Sequence, residues 1–171
     1  MKEVNIESLH LNPMTLISDE WMLLTAGTKE GFNSMTCSWG HLGSIWGKYS
    51  AVCYVRPQRY TKEFLDREEL YTLSFYSSEH KNDMAYIGSH SGRDTDKLAG
   101  IALTPAFGEG YTYYQEAKLV LVCRKLYRAP ILAEAILDRD IPENYYPEKD
   151  YHDMYIGEIV KVLVADDAKF V

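Results

Sequence analysis

The sequence predicts a mainly β fold, in which an antiparallel, barrel-like sheet carries a few peripheral helices. Aromatic residues make up 13% of the chain, and aromatic side chains favour strands. About six segments show the short apolar runs or the period-of-two alternation that strands require. The few short helices between them do not alternate regularly with the strands, as a parallel α/β sheet would need.

The chain is expected to form a single domain over residues 1–171. A length of 171 residues with 46% hydrophobic side chains is enough for one core and cramped for two. No internal repeat, low-complexity tract or linker divides the sequence. The elements are therefore expected to pack around one core.

The first predicted unit is a β-hairpin. WMLLTAG (21–27) is a short apolar run, TKEG (28–31) is the turn, and the second strand covers 33–39. That second strand alternates, with Asn33, Met35, Cys37 and Trp39 on one face and Ser34, Thr36 and Ser38 on the other. A face of hydroxyls either meets solvent on an edge strand or bonds to the polar edge of a ring system, and the sequence leaves both open.

The remaining elements follow in order. A Gly-rich loop (41–48) precedes a strand at 51–55, which Pro57 ends because proline cannot donate to the ladder. Thr61 is expected to cap a short helix, and 70–76 returns to a strand. The next elements are a helix through 84–87, a short helix capped by Asp94, a strand at 117–127, a Pro- and Tyr-rich loop at 138–151, and a strand at 155–164. A loop of that length in a small domain is typical of function.

Charge and motif content exclude several function classes. The net charge of −7 argues against binding to nucleic acid or an anionic membrane. The sequence shows no signal peptide and no apolar run long enough to span a bilayer, so a cytoplasmic location is expected. Cys37, Cys53 and Cys123 form neither a disulfide framework nor a metal motif. No HExxH, GxSxG, GxxxxGK[ST] or GxGxxG motif is present, so no metal site is expected.

Two basic segments are candidate anion sites. HSGRDTDK (90–97) combines small residues and hydroxyls with cations before a predicted helix N-terminus, where free N–H groups bind anions. Its candidate ligands are Ser89, Ser91, Arg93 and Lys97. The alternative is a solvated surface turn. The second segment holds Arg56, Arg59, Tyr60 and Thr61; its arginines either share the anion or pair with Glu63 and Asp66 on the surface.

Four motifs together resemble the flavin reductase-like family of FMN-binding split-barrel proteins, within it the flavoredoxin-like branch. The motifs are NSMTCSWG (33–40), VRPQRYT (55–61), SHSGRDTDK (89–97) and HDMYIGEI (152–159). They occur in the family's order, and the resemblance spans about residues 20–164. Each motif alone is weak, whereas four in order are fairly specific.

The resemblance implies a six-stranded antiparallel split barrel that forms a homodimer and holds FMN near the subunit interface. It places Asn33, Met35, Thr36, Cys37 and Ser38 along the ring and ribityl chain, and Arg56 to Thr61 and Ser89 to Lys97 near the phosphate. His152 resembles a histidine near the reactive side of the ring, where it is a candidate catalytic residue, and Trp39 or a tyrosine of the 145–151 loop is expected to cover a ring face.

The reaction implied is two-electron reduction of FMN by NADH, NADPH or another reduced donor, with transfer to a small-molecule or redox-protein acceptor. Because the flavin carries the electron chemistry, no catalytic dyad is required. One alternative is an FMN-binding electron carrier or flavin-storage protein that does not turn over nicotinamide. Another is a split-barrel relative that binds haem or no cofactor, which the intact SGRDTDK disfavours.

Overall fold

A computed structural model describes residues 1–170 of the chain. The strands are β1 (Lys2–Val4), β2 (Met22–Thr28), β3 (Gly31–Cys37), β4 (Gly40–Ile45), β5 (Lys48–Val55), β6 (Leu70–Phe75), β7 (Pro105–Gly108), β8 (Tyr111–Tyr114), β9 (Leu119–Pro130) and β10 (Asp153–Val164). The α-helices are α1 (Pro13–Ser18), α2 (Thr61–Arg67), α3 (Lys81–Ser89) and α4 (Asp140–Tyr145). Short 3-10 helices cover Ile6–Ser8, Ser78–His80, Lys97–Gly100 and Ala133–Ala135.

Most strands join one antiparallel sheet. Its order is β3, β2, β6, β9, β10, β5, β4, and β1 pairs with the end of β10. β7 and β8 form a separate hairpin. The mainly β, antiparallel fold class is confirmed, and the six expected strands correspond to β2, β3, β5, β6, β9 and β10. Within residues 1–170 the two end strands, β3 and β4, do not pair with each other.

The predicted Gly-rich loop at 41–48 is wrong, because this segment forms most of a hairpin. β4 and β5 pair as far as Ile45 and Lys48. The two residues between them, Trp46 and Gly47, have φ values of 55° and 70°. Positive φ at both positions is what a two-residue type I′ turn requires, and it matches the twist of the paired strands. A tryptophan in the first of these positions hides the turn from a sequence-based assignment.

The core occupies both faces of the sheet. Leu23 and Leu24 are neighbours in β2 and point to opposite faces, yet each is 0% exposed. Leu24 belongs to a cluster that includes Tyr71, whereas Leu23 packs with Met84 and Ile87 of α3. Helix α3 therefore covers the outer face of the sheet where β2 and β3 lie.

Two of the expected helix caps are wrong. The Thr61 hydroxyl does not cap α2; it accepts a hydrogen bond of 2.7 Å from the Asn33 side-chain amide. After α3, the cap of the single 3-10 turn is Asp96 and not Asp94, since Asp96 Oδ1 accepts from the Leu98 N–H at 3.0 Å. The basic segment is therefore not the N-terminus of an α-helix.

Three further features bear on the excluded function classes. No helix within residues 1–170 is long and apolar enough to cross a membrane. Over the same residues, no group of three or more His, Cys, Asp or Glu side chains is placed to hold a metal ion. The three cysteines are free and buried, and burial raises the pKa of the Cys37 and Cys123 thiols to about 12.

Candidate functional site

Two adjoining cavities lie beside β3 and bring together distant parts of the chain. The first cavity, of about 230 Å³, is lined by Met35, Thr36, Cys37, Ser38, Trp39, Tyr54, Arg56, Arg59 and His152. The second cavity, of about 300 Å³, is lined by Asn33, Met35, Arg56, Gln58, Arg59, Tyr60, Thr61, Ser89, His90, Ser91 and Lys97. Every site residue predicted from the sequence except Arg93 lines one or both. Gln58 and His90 belong to the predicted segments 56–61 and 89–97 but are not among the individually predicted residues. Tyr54 lies outside every predicted site segment, because nothing in the sequence marks a side chain for its place on a neighbouring strand.

The backbone of β3 supplies one wall with free polar groups. β3 is an edge strand, so its outward N–H and C=O groups have no strand partner. The Ser34 carbonyl is one of them, and it accepts a hydrogen bond of 2.8 Å from Lys97 Nζ. The peptide groups of alternate residues in an antiparallel strand point to the same side. Thr36 therefore presents its N–H and C=O to the same open edge.

The hydroxyl face of β3 is largely engaged within the protein. The Ser34 hydroxyl lies 2.8 Å from that of Thr25 and 2.9 Å from that of Tyr114. The Thr36 hydroxyl donates to the Met84 carbonyl of α3. Neither alternative from the sequence, solvent or the edge of a ring, describes these two side chains. Ser38, beyond the end of β3, lines the first cavity.

Two cations border the second cavity without a carboxylate partner. Arg59 Nη1 donates to the Gly88 carbonyl at 2.9 Å, and Lys97 Nζ donates to the Ile87 carbonyl at 3.0 Å. Both carbonyls belong to the last turn of α3, where the helix dipole is negative and attracts cations. Throughout the described part of the chain, no salt bridge includes either residue. The local positive charge therefore comes from cations gathered at a helix C-terminus, not from a helix N-terminus as predicted.

The position of Lys97 changes its protonation behaviour. Burial, and secondarily the nearby Arg59 guanidinium, lower the pKa of Lys97 to about 8. Two of its three N–H donors are used by the Ser34 and Ile87 carbonyls. A charged donor thus remains beside the cavity, in surroundings where an anion would favour the charged form.

Arg93 and Arg56 are committed to other contacts. Arg93 forms an ion pair with Glu63 and lies 5.0 Å from the centre of the Tyr60 ring, and it does not line either cavity. Arg56 lines both cavities but forms an ion pair with Asp150. The predicted alternative, in which Arg56 and Arg59 pair with Glu63 and Asp66, is wrong. The carboxylate of Glu63 pairs with Arg93 instead.

Arg56 anchors the Tyr-rich loop. This arginine donates to the Tyr145 carbonyl at 2.9 Å and lies 5.4 Å from the centre of the Tyr146 ring. Gln58 Nε2 adds a 2.7 Å hydrogen bond to Asp150 Oδ2. The contacts join the 138–151 loop to the VRPQRYT segment, and no residue of the loop lines either cavity.

His152 follows this loop and faces the first cavity. It is 8% exposed, and its ring centre lies 4.9 Å from that of Trp39. Burial, and then the positive charge of Arg56, lower the pKa of His152 to about 4. The imidazole is therefore neutral at pH 7. A neutral imidazole has one N–H donor and one acceptor nitrogen.

Tyr146 determines which nitrogen carries that proton. Its hydroxyl lies 2.9 Å from His152 Nδ1 and has no other side-chain partner within residues 1–170. Tyr146 is buried, and a buried O–H that donates to nothing is costly. Tyr146 therefore donates to Nδ1, and the proton of His152 is on Nε2, available as a hydrogen-bond donor.

A glycine allows the basic segment to close on β3. A Cβ atom at Gly92 would lie 2.1 Å from Asn33 Oδ1 and 3.2 Å from the Tyr60 ring.

The two serine hydroxyls of the basic segment differ in whether their proton is free. Ser89 Oγ donates to the Ala85 carbonyl at 3.0 Å, whereas Ser91 Oγ accepts from the Arg93 N–H at 3.2 Å and keeps its own proton. Ser91 is therefore the freer donor beside the second cavity.

A family model described as "Flavin reductase like domain" matches residues 14–170. The chain belongs to the flavin reductase-like family. The family predicted from the sequence is thus confirmed. The four motifs on which that resemblance rested, although spread over more than a hundred residues, all contribute residues to the two cavities of this flavin reductase-like chain.

Solved structures show the same fold. A flavoredoxin from Methanosarcina acetivorans is 19% identical with a TM-score of 0.67, covering 97% of this chain and 76% of that one. An FMN-binding protein from Thermus thermophilus is 18% identical with a TM-score of 0.69, covering 98% and 83%. An NADH:FAD oxidoreductase from Streptomyces globisporus is 14% identical with a TM-score of 0.65, covering 88% and 78%. A search of the curated proteins finds no match.

Proposed function

We propose that this flavin reductase-like chain binds FMN and acts as a flavin-dependent oxidoreductase. The observation that carries the proposal is the Arg59 and Lys97 pair, two cations without a carboxylate partner in the described residues, at the wall of a cavity that adjoins a second one. Burial and the nearby Arg59 guanidinium disfavour the charged form of Lys97, and a bound anion would favour it. Because the chain belongs to the flavin reductase-like family and shares its fold with an FMN-binding protein, we take this anion to be the phosphate of FMN.

The residues present fit the phosphate end of FMN. Arg59 and Lys97 would supply charge-assisted hydrogen bonds, which are stronger than neutral ones. The free hydroxyl proton of Ser91 adds a donor. Thr61 also lines the second cavity, where the Asn33 amide holds its hydroxyl oxygen.

The first cavity fits the ring system. Its wall offers the open edge of β3, the Nε2–H donor of His152 and the indole of Trp39, whose ring centre lies 4.9 Å from that of His152. Bound flavin supplies the two-electron chemistry, so the protein binds, orients and tunes it. In this proposal His152 acts at pH 7 as a neutral hydrogen-bond donor, because its pKa of about 4 leaves no proton to give as an acid.

The proposed reaction is reduction of the flavin by NADH, NADPH or another reduced donor, followed by transfer to an acceptor. An FMN-binding electron carrier or storage protein is the competing function. Titration of the purified protein with FMN, followed by the shift of the flavin absorbance bands, tests cofactor binding. Anaerobic addition of NADH and NADPH then separates the functions: bleaching within seconds supports the oxidoreductase, and persistent oxidised bands with both indicate a carrier. A protein that binds no FMN contradicts both.

The proposal includes a homodimer. Exposed aromatic side chains, Trp46, Tyr49 and Tyr127, lie at or beside the β4 end of the sheet, and the Trp46 and Tyr127 ring centres are 6.3 Å apart. β4 is an end strand with free peptide groups. Exposed apolar side chains next to a strand edge are typical of an interface. Light scattering on a size-exclusion column is expected to give twice the chain mass, whereas a monomer mass at micromolar concentration contradicts the dimer.

A further inference from the structure

A network of ion pairs joins α2, β9 and β10, and the proposed reaction does not use it. Its centre is the Asp153 carboxylate, whose Oδ2 lies 3.0 Å from Lys62 Nζ and accepts a hydrogen bond of 2.8 Å from Arg128 Nε. Lys62 Nζ also lies 2.6 Å from Asp66 Oδ2, one helical turn further along α2. Asp66 Oδ1 accepts a hydrogen bond of 2.6 Å from the Tyr155 hydroxyl. The network is therefore continuous across three elements of the fold.

The two central members are deeply buried for charged residues. Lys62 is 9% exposed and Asp153 is 7% exposed, and such residues are almost never buried unless they are paired. A buried ion pair adds little net stability, because the cost of taking both charges out of water offsets their attraction. The best-supported use of such a pair is to fix how the elements that it joins are placed.

Each member of this pair is next in sequence to a residue of the site. Lys62 follows Thr61, which lines the second cavity, and Asp153 follows His152, which lines the first. Neither Lys62 nor Asp153 itself lines either cavity. The pair therefore connects the start of α2, beside one cavity, with the start of β10, beside the other.

The other side-chain contacts of the two segments do not replace this connection. The Thr61 hydroxyl is bound by Asn33 of β3, and His152 Nδ1 is bound by Tyr146 of its own loop. Within residues 1–170, the hydrogen bonds and ion pairs between α2 and β10 are the Lys62–Asp153 pair and the bond from Tyr155 one turn further along α2. The Lys62–Asp153 pair is the one of these that directly follows the cavity residues.

We propose that Lys62 and Asp153 are positioning residues of the flavin site, whose ion pair sets the separation between the phosphate end, at Arg59 and Thr61, and the His152 donor at the ring end. The inference rests on the proposed function, because FMN defines these two ends. FMN carries its phosphate and its ring on one molecule, so both ends of its site must be held at a matching distance. Riboflavin has no phosphate and does not need that match.

Two variants with opposite effects on charge separate positioning from electrostatics. Lys62→Met removes a positive charge, and Asp153→Asn removes a negative charge while keeping the side-chain shape. If the pair acted on the phosphate only through its charge, Lys62→Met would weaken FMN binding and Asp153→Asn would strengthen it. If the pair positions the site, both variants weaken it.

The experiment measures FMN and riboflavin affinities by fluorescence quenching, and the ¹⁵N shifts of the His152 imidazole in the flavin-free protein. Both variants are expected to weaken FMN binding roughly tenfold or more, because misplaced binding groups lose affinity, and to change riboflavin binding less than about threefold. Both are also expected to shift the His152 signals, although the Lys62 side chain is on another element. Lys118→Met is the matched control: Lys118 pairs with Glu20 and lines neither cavity, so its loss should change none of these values.

Three results would overturn the inference. Asp153→Asn strengthens FMN binding or leaves it unchanged; both variants weaken FMN and riboflavin equally; or Lys62→Met leaves the His152 signals as in the wild type. If one variant does not fold, the other decides, through the sign of its effect for Asp153→Asn or through the His152 signals for Lys62→Met. In these cases the wild type still binds FMN, so the proposed function stands. A wild type that does not bind FMN refutes the proposed function itself and, with it, the inference.

Discussion

Replacement of Lys97 by methionine tests the proposed phosphate contact. Methionine keeps most of the side-chain length and apolar stem but removes the charge and all N–H donors. In the structure, two of these donors bind the Ser34 and Ile87 carbonyls, at 2.8 Å and 3.0 Å, and one is left for a ligand. We therefore expect Lys97→Met to lose one charged hydrogen bond to the phosphate.

The expected magnitude follows from that single bond. A hydrogen bond to a charged group contributes about 1.5–3 kcal/mol, and each 1.4 kcal/mol is about tenfold in affinity. Lys97→Met should therefore weaken FMN binding by roughly 10- to 150-fold. Riboflavin has the same ring and ribityl chain without the phosphate, so its affinity should change less than threefold.

The assay is quenching of flavin fluorescence at pH 7 with FMN and riboflavin in parallel. Lys161→Met is the matched control, since Lys161 is on β10, pairs with Glu3 at 3.4 Å and lines neither of the two cavities. Thermal unfolding of each variant checks that the protein stays folded when the hydrogen bonds from Lys97 to the Ser34 and Ile87 carbonyls are lost. Equal losses for FMN and riboflavin in a folded variant would refute the phosphate contact.

Three further predictions follow from the site. The FMN-to-riboflavin affinity ratio should fall by roughly five- to tenfold between pH 7 and pH 9, because Lys97, whose pKa is about 8, loses the charge that a bound phosphate would stabilise. Binding titrations at pH 7, 8 and 9 check this. Gly92→Ala should weaken FMN binding at least tenfold, since its Cβ would lie 2.1 Å from Asn33 Oδ1. Tyr146→Phe should remove the bond that holds the His152 proton on Nε2, and the ¹⁵N shifts of the imidazole should then show a mixture of tautomers.

Each of these predictions has its own control. A ratio that stays constant from pH 7 to 9 would show that Lys97 does not contact the phosphate. Gly43→Ala places a methyl where nothing lies within 4 Å, so it should leave binding unchanged, and equal effects of the two alanines would refute the close approach at Gly92. If Tyr146→Phe leaves the Nε2–H tautomer fully populated, the tyrosine does not position His152.

Much of the sheet is readable from the sequence. Strands such as Leu70–Phe75 alternate or form apolar runs, which predicts that they are strands but not which strands are their neighbours in the sheet. The sequence does not predict the β4–β5 hairpin, because its turn places Trp46 at positive φ. This conformation costs energy in a bulky residue, and the pairing of the two strands offsets that cost. The pairing of β4 with β5 determines this turn, and local sequence preferences do not predict it.

In the site, too, some features are predicted from the sequence and others are not. The motifs predicted which segments meet, because each carries residue types suited to an anion or a ring. They did not predict how individual charges pair across the fold. Arg93 is taken by Glu63, and Arg56 by Asp150, whereas Arg59 and Lys97 are left with carbonyls at the end of α3. Such pairing depends on distances between residues that are 30 or more positions apart, as in the Arg93–Glu63 pair.

The most direct test of the account is the affinity of the wild-type protein for FMN relative to riboflavin at pH 7. Two charged contacts, from Arg59 and Lys97, predict that FMN binds about a hundredfold or more tightly than riboflavin. Isothermal titration of both flavins under the same salt conditions measures this ratio. Equal affinities would contradict a phosphate site between these two cations.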